Sequence, residues 1–241
     1  MLANSLERLI PNQVEPNEVT GQLTLALHRS RYEFAAAQCN PGRLLAIACG
    51  VGYGTPILYR GNNRNLQALG VDCSKDSIEY ATGKYSMPGV HFLMADAMKF
   101  EDPDGFDTIV SLETIEHIPD PSGLIANLVQ ILRPGGVLIG SVPTTPTVAA
   151  NPYHLHDFTE DSFRKLIEPY GLTEVACLRQ IQPFNPITVL TRKERRLEDL
   201  RCNLGKYYWA HPLSFWKRIC STLQCGFSNR YITIAWRLNT S

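Results

Sequence analysis

The sequence predicts an α/β fold, a mostly parallel sheet with helices on both faces, from three observations. Short apolar runs alternate with helix-compatible segments from Leu44 onward. The first run, Leu44 to Ala48, breaks into Gly50-Val-Gly52-Tyr-Gly54 before a helix-compatible segment. The second run, Leu66 to Val71, stops at an acid, Asp72. Balanced charge, 23 basic against 23 acidic side chains in 241 residues, gives no global field that argues for nucleic acid. That length suits one well-buried domain with a modest accessory element.

In chain order, Leu23 to Gln38 reads as a helix with Leu23, Leu27, Tyr32 and Phe34 or Ala35 near one face, within an N-terminal cap over 1–40. It either caps the open side of a bound ligand or covers the sheet. Leu44 to Ala48 is a buried strand that turns sharply into a helix. The glycines permit positive backbone angles and close approach by a cofactor. Alone, that turn fits a dinucleotide site or a mere tight turn. Asp72, at the end of the second parallel strand, can accept both hydroxyls of a ribose. Val90 to Met94 is a third strand with Asp96 just past its end, and Phe106 to Ser111 is a fourth. Leu132-Arg-Pro-Gly-Gly136 closes a helix and launches a fifth strand, Val137 to Val142. A helix capped at Thr159 runs to Pro169-Tyr-Gly171; Leu172 to Leu178 and Tyr231 to Trp236 are the remaining strands.

Seven scattered cysteines, Cys39, Cys49, Cys73, Cys177, Cys202, Cys220 and Cys225, form no Cys-x-x-Cys pair and suit a reducing compartment. Met1 to Pro11 lacks the features of a secretion signal, and no run reaches the length of a membrane span. The expected location is cytoplasmic.

The series of motifs resembles the class I S-adenosylmethionine-dependent methyltransferases. Gly50, Gly52 and Gly54 match their first motif, Asp72 their ribose-binding acid and Asp96 their adenine-contacting acid, and the resemblance covers roughly Tyr32 to Arg179. It implies a Rossmann-like, seven-stranded, mostly parallel sheet whose last strand is antiparallel, and S-adenosyl-L-methionine as cofactor. Carried over, the cofactor residues are Ala48, Gly50, Gly52, Gly54, Asp72, Cys73, Asp96, Ala97 and Ser111. One departure stands out. The family usually has an acid where Ala46 stands, helping to hold the methionyl amine. Its absence implies weaker binding, a substitute acceptor from backbone carbonyls near Ala48, or a non-catalytic cofactor-binding subunit.

Between the last two strands the family has a short connection, whereas here 180–229 intervenes, too long for a structureless loop. It carries eight Lys and Arg against three acids, net +5, leaving −5 on the remainder. Leu213, Trp216, Cys220 and Leu223 recur at helical spacing with Lys217 and Arg218 opposite. Thr191 to Leu204 is a poorer helical candidate. The insertion leaves the sheet at the edge where open α/β sheets bind ligands, so it should flank the substrate pocket. Packing of its apolar face onto the core is expected. The alternative is a peripheral membrane contact in which Trp209, Phe215 and Trp216 dip in while Lys217 and Arg218 meet headgroups.

A second constellation leaves the fourth strand: Glu113, Glu116 and His117 lie close together in Val110-Ser-Leu-Glu-Thr-Ile-Glu-His-Ile-Pro119. Asn151-Pro-Tyr-His-Leu-His-Asp157 leaves the fifth strand at the same edge. This pattern resembles ubiquinone-biosynthesis O-methyltransferases and the enzymes that methylate a 2′-hydroxyl at RNA 3′ ends. Both resemblances imply a divalent ion, Mg, Mn or Zn, on Glu113, Glu116, His117 and His154, with His156 as a lesser fourth ligand. Such an ion acidifies the accepting hydroxyl. Two further readings stay open: His117 as a metal-free general base assisted by Glu116, and a purely structural Glu–His pair.

The leading functional expectation is O-methylation of a small molecule, glycan or prenylated (lipid-linked) phenol; His28 to Phe34 together with Asn151 to His154 also resembles bacterial methyltransferases of secondary metabolism and surface glycans. N-methylation of a small-molecule amine is the nearest alternative. RNA 2′-O-methylation has ingredients in Arg192, Lys193, Arg195, Arg196, Tyr207, Tyr208 and Trp209, but the neutral chain lacks an RNA-binding module, so no nucleic-acid partner is expected.

Overall fold

A computed structural model describes residues 4–61, 65–191, 194 and 197–240, with the side chains of 65, 66 and 190 outside that description. Arg192, Lys193, Arg195 and Arg196 therefore lie outside the described residues, as does the Leu66 side chain. Helix α1 (Val19–Gln38) precedes strand β1 (Gly42–Ile47), followed by α2 (Gly54–Gly61), β2 (Asn65–Asp72), α3 (Lys75–Tyr85) and β3 (Val90–Met94). The second half runs β4 (Phe106–Leu112), α4 (Pro121–Gln130), β5 (Leu132–Pro143), α5 (Glu160–Ile167) and β6 (Leu172–Pro183). Helices α6 (Pro186–Thr191), α7 (Leu204–Ala210) and α8 (Pro212–Cys225) then lead to β7 (Ser228–Leu238).

The seven strands form one sheet in the order β3-β2-β1-β4-β5-β7-β6. Strands β1 to β5 are parallel, and β7 runs antiparallel to both neighbours, β5 and β6. The chain winds outward through β2 and β3, then crosses back to β4 beside β1. That reversal opens a crevice above the C-terminal ends of β1 and β4.

Alternation along β1 divides the core into two layers. Leu45 and Ile47 face a cluster with Phe106, Leu124 and Phe163, on the side of α4 and α5. Leu44 and Ala46 face the other cluster, with Ala35, Leu58 and Ile78 from α1, α2 and α3. Helix α5 begins with a reciprocal capping box, Thr159 and Ser162 each accepting from the other's backbone N–H.

Three details differ from the sequence expectation. The Leu132 to Gly136 segment already belongs to β5, because a register irregularity between Phe106 and Thr108 absorbs the Pro-Gly-Gly stretch. Strands β6 and β7 pair from Leu172↔Leu238 to Pro183↔Ser228, which narrows the insertion to 184–227. The extension of β6 hid its period because two buried positions are glutamines. Gln180 accepts from Arg31 Nε at 2.7 Å, and Gln182 donates to Thr24 at 2.7 Å. Finally, α8 forms over the expected residues, but its apolar face does not pack onto the core: Leu213, Trp216 and Leu223 are 77%, 60% and 82% exposed. Among the described residues no helix is long and apolar enough to cross a membrane.

Candidate active site

At the crevice lies a cavity of about 440 Å³, walled by the glycine turn, the ends of β2 and β4, and side chains from α1 and the N-terminal segment. Two non-glycine residues there hold left-handed backbone angles: Ala48 after β1 and Glu113 after β4, both with φ of 51°. Such conformations persist only where the surrounding structure enforces them, and they cluster at functional sites. The three turn glycines do different work. At Gly50 (φ +56°) an added Cβ would meet nothing within 4 Å, so the backbone is open to a ligand. At Gly52 (φ +82°) it would sit 2.5 Å from Ala81, and at Gly54 it would collide with the Tyr32 ring. Those two glycines serve close packing of the flanking helices instead.

Asp72 lines the cavity with its carboxylate pinned: Oδ2 accepts from Gly50 N–H and Oδ1 from Ser74 N–H, each at 2.8 Å. Each oxygen retains a lone pair for a ribose hydroxyl. Arg31, 2% exposed, also lines the cavity. Its Nε is held by Gln180, its guanidinium lies 4.3 Å from the Tyr231 ring centroid, and Nη1 sits 3.3 Å from Glu113 Oε1. Beyond that ion pair Nη1 makes no hydrogen bond among the described residues, so a buried cationic donor at the cavity wall keeps capacity for a ligand. A diol acceptor, a buried cationic donor with spare capacity and the carboxylates of Glu7 and Glu113 suit the ribose, carboxylate and amine of S-adenosylmethionine. The donor set fits the cofactor.

Not every expected residue meets this cavity. Cys73 and Asp96 are exposed outside its lining, with Asp96 Oδ1 accepting from Met98 N–H at 2.9 Å. The Ala97 carbonyl accepts from Asn127 at 3.0 Å, and Ser111 is buried on the opposite side of β4. The wall is Leu112, one residue on, because successive strand side chains point to opposite faces. Ala46, 4% exposed, also faces the apolar layer rather than the cavity. Restoring an acid there should therefore not tighten cofactor binding. Ala46→Asp is expected to lower folding stability by about 1–3 kcal/mol through burial of an unpaired polar group, read as a drop in denaturation midpoint. An unchanged midpoint with tighter S-adenosylhomocysteine binding would contradict this placement.

A second cavity of about 220 Å³ shares Glu7, Leu9, His28 and Glu113 with the first and extends beneath the insertion, where Phe184, Leu200 and Arg218 line it. Its polar wall comes from two loops tied together. Ile115–His117 forms a 3-10 turn in which the Glu116 carbonyl accepts from Leu155 N–H at 2.8 Å and His156 N–H at 3.3 Å. This tie brings the His117 and His154 rings edge to face, 4.6 Å apart.

The two imidazoles differ in protonation. His117 Nδ1 lies 3.1 Å from the Tyr153 carbonyl and Nε2 lies 3.0 Å from Glu7 Oε2. Both partners are acceptors, so both nitrogens carry protons. Burial pushes the His117 pKa down, but Glu7 and Glu116 outweigh it and raise it to about 9. Glu7 mirrors this: burial alone would raise it, yet His117 holds it below the usual carboxylate range. His154 is driven to about 4 by burial and by the His117 charge, so it is neutral at physiological pH. Its Nδ1 meets Thr147 Oγ1 at 2.6 Å. Glu116 is fully buried with neither carboxyl oxygen hydrogen-bonded among the described residues. Burial and the neighbouring Glu113 raise its pKa well above the usual value.

The expected metal set does not assemble. Glu113 is engaged by Arg31 and accepts from Ser141 at 2.7 Å. Glu116 points into the core, fully buried, and His156 Nε2 meets the Ile118 carbonyl at 2.9 Å. Among the described residues, the donors that converge are Glu7, His117 and His154, within 4.8 Å of one another. Glu7 and His117 already satisfy each other directly, which leaves the four-residue set without a fit for a divalent ion. His117, with both nitrogens committed, is not the open base that the sequence suggested. Glu7 and Arg31 were not among the expected site residues: Glu7 lies in an aperiodic segment, and Arg31 lies within the His28 to Phe34 stretch with no role of its own.

A doubly wound sheet with a pinned acid at the end of β2 and a glycine turn after β1 is the architecture of nucleoside-binding α/β proteins. A family model described as "Methyltransferase domain" matches residues 45–140. "Phosphoethanolamine N-methyltransferase 3" of Arabidopsis thaliana is 30% identical over 197 residues, covering 73% of this chain and 39% of that protein. A "Probable S-adenosylmethionine-dependent methyltransferase" of Mycolicibacterium smegmatis is 26% identical over 172 residues, 68% of this chain and 63% of that one. The chain thus spans less than two thirds of the length of these relatives. In fold it is similar to the Bacillus YcgJ protein, with TM-score 0.67 and 14% identity over 89% of this chain and 100% of that chain. It is likewise similar to the N-methyltransferase NodS of Bradyrhizobium japonicum in complex with S-adenosyl-L-homocysteine, with TM-score 0.58 and 14% identity over 92% and 89% of the two chains. Residues 45–140 thus match a methyltransferase domain, and the chain is similar in sequence to S-adenosylmethionine-dependent methyltransferases.

Proposed function

We propose that this protein transfers a methyl group from S-adenosylmethionine to a hydroxyl of a largely apolar or lipid-linked acceptor, with His154 as the proton acceptor. The observation that carries this reading is the pair of unlike imidazoles in the second cavity: His117 committed as a cation to Glu7, His154 neutral beside it. When bound, the cofactor supplies a methyl group already activated on a sulfonium. The protein's own task is to align the acceptor oxygen and remove its proton. Glu113, shared by both cavities and fixed by Arg31 and Ser141, stands at their junction. The apolar walls supplied by Leu9, Phe184, Val189 and Leu200 favour a hydrophobic acceptor.

N-methylation of an amine is the second reading, supported by the carboxylates of Glu7 and Glu113 at the cavity junction. Methyl-labelled cofactor offered with prenylated phenols, hydroxylated lipids and amino-alcohols separates the two. Label on oxygen is expected, and label exclusively on nitrogen would replace the first reading by the second. Because no four-residue metal set forms, methyl transfer should continue undiminished in EDTA. Loss of activity in EDTA and its return with Mg²⁺, Mn²⁺ or Zn²⁺ would reinstate metal assistance.

A further inference from the structure

We propose that α7 and α8 dock this protein on an anionic lipid surface. The exposed face and its charge carry the docking; only its continuity with the acceptor cavity rests on the activity proposed above. Helix α8 places Leu213, Trp216, Cys220 and Leu223 on one face. In a helix that simply covers a core, that face points inward. Here it points out, with Leu213, Trp216 and Leu223 all more than half exposed, while the more polar side meets the body of the protein. Arg218 on that side donates to the Pro146 carbonyl at 3.0 Å. The last turn of α7 adds Trp209, 91% exposed, and Phe227 follows α8 at 56%. Isolated apolar side chains on a surface are ordinary; a whole exposed helix face that carries Trp216, with Trp209 on the preceding helix, marks an interaction site.

The charge of the segment selects the occupant. After Asp199 the chain carries no acidic side chain but six basic ones: Arg201, Lys206, Lys217, Arg218, Arg230 and Arg237. Lys206 and Lys217 are exposed beside the apolar face. Tryptophan and lysine flanking an exposed apolar stripe suit the headgroup level of a bilayer, where rings sit half-buried and ammonium groups meet anionic lipid. A second copy of the chain suits the face poorly. A two-fold contact would set these bases against their own counterparts with no acid in the segment to offset them. Continuity with the acceptor cavity supports the same occupant: Arg218 and Phe184 line that cavity from the insertion, so a lipid-borne acceptor would enter beside the docked face.

The test is co-sedimentation of the full chain with vesicles of phosphatidylcholine alone or mixed with phosphatidylglycerol, with S-adenosylhomocysteine calorimetry run separately. The protein should pellet with the mixed vesicles, weakly with phosphatidylcholine alone, and less as salt rises. Trp209→Ser combined with Trp216→Ser should lower partitioning about tenfold or more, and Lys217→Glu should lower it too, with cofactor affinity and thermal midpoint retained. Wild-type protein that stays in the supernatant with mixed vesicles overturns the proposal. So do variants that pellet as well as wild type, or a lipid-free dimer that the tryptophan variant dissociates. Loss of S-adenosylhomocysteine binding in wild type would strike the catalytic reading alone.

Discussion

Replacing His154 with alanine should slow methyl transfer by about 10²–10⁴-fold, the usual contribution of a positioned general base, while leaving S-adenosylhomocysteine affinity unchanged. The alternative base, His117, donates both its N–H groups, one to a carbonyl and one to a carboxylate. To accept another proton it would first have to surrender one of those bonds. The pH profile adds an independent readout. His154 is depressed to about 4, so a rate that depends on its neutral form should hold down to mildly acidic pH and fall only as His154 protonates. A base with an ordinary histidine pKa would instead lose activity near 6.5. Full activity in His154→Ala would remove this residue from the mechanism. An acid limb near 6.5 would return the role to a less perturbed group.

Asp72→Ala should weaken S-adenosylhomocysteine binding by about 1.5–3 kcal/mol, roughly 10–150-fold in dissociation constant. Two effects combine. The ribose loses its acceptor, and the N–H groups of Gly50 and Ser74 lose the carboxylate that fixes the glycine turn. Calorimetry measures the first, and the thermal midpoint of the protein without ligand measures the second. Asp72→Asn, which keeps the shape and one acceptor oxygen, should fall between wild type and alanine. Unchanged affinity in Asp72→Ala would mean that the ribose lies elsewhere.

The glycine turn and Asp72 were legible because local chemistry places them, whereas Cys73, Asp96, Ala97 and Ser111 lie outside the cavity lining. A glycine turn after a buried strand and an acid at the end of the next strand imply much the same geometry in any doubly wound sheet. The acceptor half was legible only in part. The pattern Glu113, Glu116, His117 and His154 located the right pair of loops, yet adjacency in sequence does not fix which way a side chain faces. In the 3-10 turn, Glu116 points into the core and His117 out toward Glu7. Glu7 lies far from both in sequence, and only folding of the N-terminal segment over the crevice brings its carboxylate to His117.

The sequence by itself determined the succession of strands and helices along the chain, the capping of α5 and the place of Asp72 at a strand end, because periodicity, glycine and capping residues act over a few neighbouring positions. The tertiary structure decided the rest. It turned Ala46 and Ser111 away from the cavity, since a strand residue's face is set by the register of the whole sheet. It separated the charge states of His117 and His154, since protonation follows burial and the groups that converge in space. It also faced α8 outward, because spacing marks which residues share a helix face, while only the packing of the rest of the chain decides whether that face meets the core or the solvent.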